Sequence, residues 1–342
     1  MFTEKKEIDT INHIKEIILQ NNEFVIISHT NPDGDAIGSS FALYNTLINM
    51  NKKAQVIIPN DCPDFLKWIA GYDSILLFQK QKKQSIEAIN KAQVIIMVDF
   101  NSLERIEDIK PFLENNDKTK IIIDHHPNPN TEFINYIISE PSASSASELV
   151  YRVLYSAGFD NYIDKNVAES IYIGIITDTG NLTHNSSNPL TYQIIGNLLK
   201  KGINKSLIHE LTFNVNSASR LMLLGKLLSQ NMKILTEYST AYMYITLEDQ
   251  KKYNFTTGDS EGFVNYPLSI KGIKFCALFT ENEDVIKISF RSKHKIPANL
   301  FSQKHFNGGG HLNAAGGRIK LSLNEALTKF EEHLPEFKEF LI

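Results

Sequence analysis

Short uninterrupted apolar runs alternate, through the first two thirds of the chain, with stretches whose apolar positions recur every three or four residues. The runs Phe24–Ser28, Ala54–Pro59, Ala92–Val98, Thr119–Ile123 and Glu132–Ser139 have the length and composition of buried parallel strands. The periodic stretches predict helices. Ile8, Ile11, Ile14, Ile17 and Ile18 mark one before the first strand, and others cover Ala36–Met50, about Ser142–Ala157, Asn166–Asp178, Asn188–Lys201 and Ser206–Leu228. From Met232 the texture changes to hairpin-like strands: Thr240–Thr246, Phe275–Thr280 and Val285–Arg291, the last two joined by a turn at Glu281–Asp284. The pattern therefore predicts an α/β fold: an N-terminal, mostly parallel sheet flanked by helices over residues 1–200, a helical linker over 201–231, and a second, smaller α+β domain over 232–342.

The length of 342 residues agrees with two domains, since one core rarely serves so long a chain. A net charge of −4 argues against long nucleic-acid tracks, which call for a basic footprint. The basic run Lys80–Gln84 reads as a solvated helix start. Cys62 and Cys276, far apart in sequence, indicate neither a disulfide framework nor a thiolate metal site. With no signal-like N-terminus and no apolar stretch of spanning length, a cytoplasmic protein without a membrane partner is expected.

Chemistry enters at the strand ends. After Phe24–Ser28 comes His29-Thr-Asn-Pro-Asp33-Gly-Asp35, one imidazole and two carboxylates around a tight turn, which reads either as a claw for a divalent cation or as an Asx-rich turn capping the next helix. The third run ends in Asp99, costly to bury unless paired or metal-bound, though a helix N-cap also accounts for it. The fourth leads into Asp124-His125-His126, where one imidazole can bind metal while the other faces substrate, with Asp124 available to orient a ring; a surface turn is the alternative. Asp178 ends a helix against the macrodipole, as an ordinary exposed aspartate also would. The serines at 142–147 read as helix caps, with a phosphate contact as the other option.

If these groups converge, Asp33, Asp35, Asp99 and Asp178 bring four negative charges together. Like charges about 4 Å apart cost roughly 4 kcal/mol per pair even at an effective dielectric near 20. Two divalent cations cancel the charge. The oxygen and nitrogen donors suit Mn²⁺ or Mg²⁺, and the imidazoles tilt the choice to Mn²⁺, with Co²⁺ a further option. Two such ions stabilise attacking and leaving oxygens in phosphoryl transfer. In the second domain, Gly308-Gly309-Gly310-His311 exposes backbone N–H groups that suit an anion or an ordinary flexible turn. Nearby, Arg291 reads as a phosphate clamp or a surface ion pair.

The order H-x-x-P-D-x-D, strand-end Asp99, D-H-H and Asp178, followed by G-G-G-H-x-x-A-A-G, resembles the DHH phosphoesterase family with its DHHA1-type C-terminal domain, over residues 24–317. The two-domain length is most similar to the nano-RNase type, a bifunctional oligoribonuclease and pAp phosphatase. The resemblance implies His29, Asp33 and Asp99 at one metal, and Asp35, Asp99, His125 and Asp178 at the other, with Asp99 bridging. It implies His126 at the scissile phosphate, and Arg291 with Gly309, Gly310 and His311 on the far end of a short substrate. Short RNA oligonucleotides or pAp are the implied partners, long duplexes are not, and a homodimer is allowed. Rival readings are a linear or cyclic dinucleotide phosphodiesterase, a RecJ-like single-strand exonuclease, and a non-catalytic nucleotide sensor.

Overall fold

In the computed structural model, which describes residues 2–341 apart from Thr3, Asn115, Thr131, Thr257 and His311, the chain forms two compact units, Met1–Val215 and Asn216–Ile342. Each is built around its own six-stranded sheet.

The first unit runs α1 (Lys5–Gln20), β1 (Glu23–Ile27), α2 (Gly34–Asn49), β2 (Lys53–Ile58), β3 (Leu76–Leu77), α3 (Lys82–Lys91), β4 (Val94–Val98), α4 (Lys110–Glu114), β5 (Thr119–Asp124), β6 (Tyr136–Ser139), α5 (Ala146–Ser156), α6 (Lys165–Asp178), α7 (Pro189–Lys200) and α8 (Lys205–Phe213). Its strands pair in parallel in the order β3-β2-β1-β4-β5-β6. Both faces are covered, which is why the runs read as continuous rather than alternating: Phe24 and Ile26 of β1 enter one apolar cluster, and Val25 and Ile27 the other. The order reverses between β1 and β4. Open α/β sheets form a crevice at the carboxyl ends of the strands at such a switch point. The two-residue edge strand β3 carries too short a pattern to be read from sequence.

The helical stretch expected over Ser206–Leu228 is divided. α8 belongs to the first unit and α9 (Ala218–Ser229) to the second. Asn204 and Ser217 cap the two helices with their side chains, accepting from Leu207 and Arg220 N–H.

The second unit continues with β7 (Met232–Leu235), β8 (Thr240–Ile245), α10 (Leu247–Lys252), β9 (Phe275–Glu281), β10 (Ile286–Ser292), α11 (Ala298–His305), β11 (Gly309–Gly310), β12 (Ala314–Ile319), α12 (Leu323–His333) and α13 (Lys338–Leu341). β9 and β10 form the expected hairpin, but β8 lies parallel to β9, so these two are joined by a crossover rather than a turn. The glycine-rich stretch, read from sequence as a loop, is largely strand: Gly309 pairs with Gly316, and Gly310 with Ala315. Its glycines admit close approach. A Cβ on Gly308 would stand 1.9 Å from the Gly316 carbonyl oxygen, and one on Gly317 would stand 2.7 Å from that of Phe306.

Candidate metal centre

Four segments of the first unit converge at the switch point. β1 delivers His29 and the turn to α2, on which Asp33 is the N-cap residue, its carboxylate accepting from Asp35 N–H and Ala36 N–H at 3.0 and 3.1 Å. The capping reading of this turn therefore holds, and Asp33 serves the helix while one carboxylate oxygen lies near His29 and Asp99. β4 delivers Asp99, whose φ of 63° is left-handed and costly for a side-chain-bearing residue. That turn aims a nearly fully buried carboxylate at three imidazoles: Oδ2 is 3.4 Å from His29 Nε2, and Oδ1 is 3.6 Å from His125 Nε2 and 3.8 Å from His126 Nδ1. β5 ends in Asp124, which accepts from His126 Nδ1 at 2.7 Å. α6 ends at Asp178, whose Oδ2 is buried without a hydrogen-bond partner among the described residues, 3.6 Å from His125 Nε2.

Asp35 shows a feature that the motif does not announce. Its two carboxylate oxygens accept from the N–H groups of Ala146 and Ser147 at 2.6 and 2.9 Å, in the first turn of α5. Ser145 caps that helix by accepting from Glu148 N–H. A helix N-terminus is a ready anion site, and here the anion is the protein's own aspartate. The same carboxylate is 3.9 Å from His125 Nε2. α6 reaches the centre because it packs closely at glycines against both α2 and α5: a Cβ on Gly38 would lie 2.5 Å from the Ser170 carbonyl oxygen, and one on Gly174 would lie 1.9 Å from Ser147 Oγ of α5 and 2.8 Å from Asp35 Oδ1.

Three overlapping donor groups result: His29, Asp33 and Asp99; Asp35, His125 and Asp178; and Asp99, His125 and His126. Asp99 is shared by the first and third, His125 by the second and third. The electrostatics describe a centre short of positive charge. Burial, then the charges of Asp99 and Asp178, drives the Asp35 carboxyl well above its ordinary range. Burial and the neighbouring Asp99 and Asp33 charges raise Asp178 to about 7. Burial opposes charging His125, yet its hydrogen bond to Asp99 and the charges of Asp35, Asp99 and Asp178 raise it to about 10. Asp99 goes the other way, because hydrogen bonds from His125 and His29 outweigh burial and hold it ionised. Protons thus supply part of the positive charge that divalent cations would supply in full.

The residues expected on the substrate side lie in the second unit. Arg291 on β10 is largely shielded, its Nη1 donating to the Phe290 carbonyl at 2.9 Å, and burial lowers its pKa. Gly309 and Gly310 form β11, with φ 137° at Gly310, while His311 lies outside the described residues. Sequence reasoning missed the α5 amides under Asp35 and the α2–α6 glycine seam; the only available signal was the small-residue content of Gly34–Ser40 and of Gly174.

The DHH family N-terminal domain model matches residues 23–175, and the DHHA1 domain model matches 237–341. The chain is similar to the bifunctional oligoribonuclease and PAP phosphatase NrnA of Thermus thermophilus, at 26% identity over 91% of this chain and 89% of that protein. It is 24% identical to the cyclic-di-AMP phosphodiesterase GdpP of Bacillus subtilis over 96% of this chain and 50% of that protein. Among solved structures, an exopolyphosphatase-related protein from Bacteroides fragilis shares 44% identity and a TM-score of 0.95, with 97% of each chain covered.

Proposed function

The chain belongs to the DHH phosphoesterase family and carries a DHHA1 domain, and from that premise we propose that it is a divalent-metal-dependent hydrolase of short oligoribonucleotides and of 3′-phosphoadenosine 5′-phosphate. The observation that carries the reading is the shared donor Asp99, placed between His29 on one side and His125 on the other. The residues present fit two cations. The donors are all oxygen and nitrogen, four carboxylates cancel two divalent charges, and the buried Asp178 Oδ2 has no hydrogen-bond donor among the described residues. His29, Asp33 and Asp99 would hold one ion, and Asp35, Asp99, His125 and Asp178 the other, with Mn²⁺ the best match to carboxylates mixed with imidazoles. Such ions, when bound, lower the pKa of water and stabilise the charge of a phosphoryl group in flight.

The chain's own side chains supply the rest. Asp124 accepts from His126 Nδ1, which orients the ring and leaves Nε2 as the atom that would face the scissile phosphate. His29 is fixed similarly: its Nδ1 lies 3.0 Å from the Thr30 carbonyl oxygen, to which it donates, turning Nε2 toward Asp99. The helix N-terminus under Asp35 holds that carboxylate in one orientation. Arg291, Gly309, Gly310 and His311 are assigned to substrate recognition: a guanidinium for a phosphate and an open glycine strand for close backbone approach.

The similarity to the oligoribonuclease and PAP phosphatase extends over nearly the full length of both chains, which favours those substrates; the cyclic-di-AMP phosphodiesterase is matched over half its length. The test is kcat/KM for pAp, 5′-phosphorylated dinucleotides and longer oligonucleotides, with Mn²⁺ and with chelator. Phosphate release from pAp and Mn²⁺-dependent cleavage of di- to pentanucleotides are expected. Turnover in chelator, or a clear preference for long strands, refutes the assignment.

A further inference from the structure

A second cluster of metal-ligating side chains lies wholly within the second unit and takes no part in the chemistry above. α11 ends at His305, α12 ends at His333, and Glu336 follows on the 3₁₀ turn Pro335–Phe337. The two imidazoles stack with centroids 4.1 Å apart and planes 19° from parallel. His333 Nδ1 lies 2.9 Å from Glu336 Oε1, and His305 Nε2 lies 3.7 Å from Glu336 Oε2. One nitrogen from each ring and one carboxylate oxygen fall within 4.8 Å of one another. We propose that His305, His333 and Glu336 form a site for a borderline divalent cation of the Zn²⁺ class, separate from the phosphoesterase centre.

Several independent features favour a cation there. Two imidazoles and a carboxylate are a donor set that Zn²⁺ accepts with a fourth position left to water, whereas Mg²⁺ prefers oxygen alone. Both histidines are the last residues of helices, where the macrodipole presents its negative end. The His305 ring is nearly buried, in contact with Phe301 at 5.0 Å. Burial, reinforced by the neighbouring His333, lowers its pKa and keeps the imidazole in the neutral form that a metal needs. Glu336 is held ionised, at about 2, by Lys304 and His333.

Two adjustments accompany binding. Stacked rings direct their lone pairs side by side, so one ring must tilt, and His333, with 26% of its side chain exposed, is the one with solvent beside it. Lys304 Nζ, 2.7 Å from Glu336 Oε2, must give way; its side chain is 66% exposed and reaches water by rotation. Lys304 is therefore a built-in competitor of the ion.

The full chain, equilibrated with Zn²⁺ and assayed for bound metal, tests the site. Wild type should hold one more Zn²⁺ per chain than His333→Gln or Glu336→Gln, both of which should keep the wild-type zinc-free melting curve. Lys304→Ala should bind that ion several-fold more tightly, and Asp99→Asn should retain it. Equal zinc content in wild type and both site variants overturns the proposal, as does loss of the extra ion on Asp99→Asn. If the site variants melt early, the Lys304→Ala comparison decides alone, since unchanged or weaker zinc binding there removes the competitor and the site with it.

Discussion

At the scale of single residues, the centre depends on one backbone conformation. Asp99 occupies left-handed space in order to point a buried carboxylate back at His29 and His125, and asparagine is among the few residues that tolerate that conformation. Asp99→Asn therefore keeps the turn and removes the charge. It should lower kcat/KM by more than about a hundredfold, the upper end of losses seen when only a supporting contact is removed, with little change in melting temperature. Steady-state kinetics on pAp beside a thermal melt checks both halves. The raised pKa values give a second prediction. Asp178 moves from 3.8 to about 7 and His125 from 6.5 to about 10, so between pH 6 and 8 the folded chain holds more protons than the unfolded one at both sites. Stability contributed by these groups is then lost as pH rises, while that of Asp99, complete above its ordinary 3.8, does not change in this window. In chelator the melting temperature should fall from pH 6 to pH 8, and Mn²⁺ should abolish the fall; a flat or rising profile in chelator contradicts it. Arg291→Ala should mainly raise KM, and an unchanged KM removes that residue from substrate binding.

Between elements, the decisive contact is the crossing of α2 and α6. Gly38 lets the two backbones approach until a methyl group has no room, Gly34 admits the Thr177 side chain of α6, and this close approach carries Asp178 to the strand ends. Gly38→Ala sets a Cβ against the Ser170 carbonyl, a backbone atom that cannot swing aside. Overpacking of this kind costs roughly 1–3 kcal/mol, only partly offset by the better helix propensity of alanine, about 1 kcal/mol. Urea unfolding should show that loss, and Mn²⁺ affinity should fall with it because α6 is displaced from α2. Unaltered stability and metal affinity would show that the helices separate freely. The N-terminus of α5 plays a complementary part, holding Asp35 through two backbone amides, so that loop, helix and proposed metal ligand form one contiguous piece.

For the whole molecule, the separate cores have a thermodynamic consequence. The first unit buries apolar residues on both faces of its parallel sheet, and the second packs Phe275, Phe290, Phe301 and Phe330 on one face of its own sheet and Leu223, Leu227 and Phe263 on the other. Calorimetry should resolve two transitions, of which Mn²⁺ bound at the phosphoesterase centre raises the one belonging to Met1–Val215, where all the ligands proposed for that centre lie. A single transition shifted as a whole would show the units to be coupled. Much of this was legible in the chain itself. Continuous apolar runs such as Phe24–Ser28 and Ala92–Val98 specify buried parallel strands because both faces must be covered, and a carboxylate or imidazole directly after such a run can only be at a strand end. The identity of the metal-ligand types and the α/β class followed from that local pattern. What pattern does not carry is distance. The parallel pairing of β8 with β9, the strand hidden in Ala314–Ile319, the break between α8 and α9 and the stacking of His305 on His333 all join positions whose neighbours in sequence say nothing about them. Periodicity reports which face of an element is apolar, a property of consecutive residues. Which faces meet, and how closely, is set by the packing of the folded chain, and only there did Asp99 acquire its three imidazoles and Asp35 its helix.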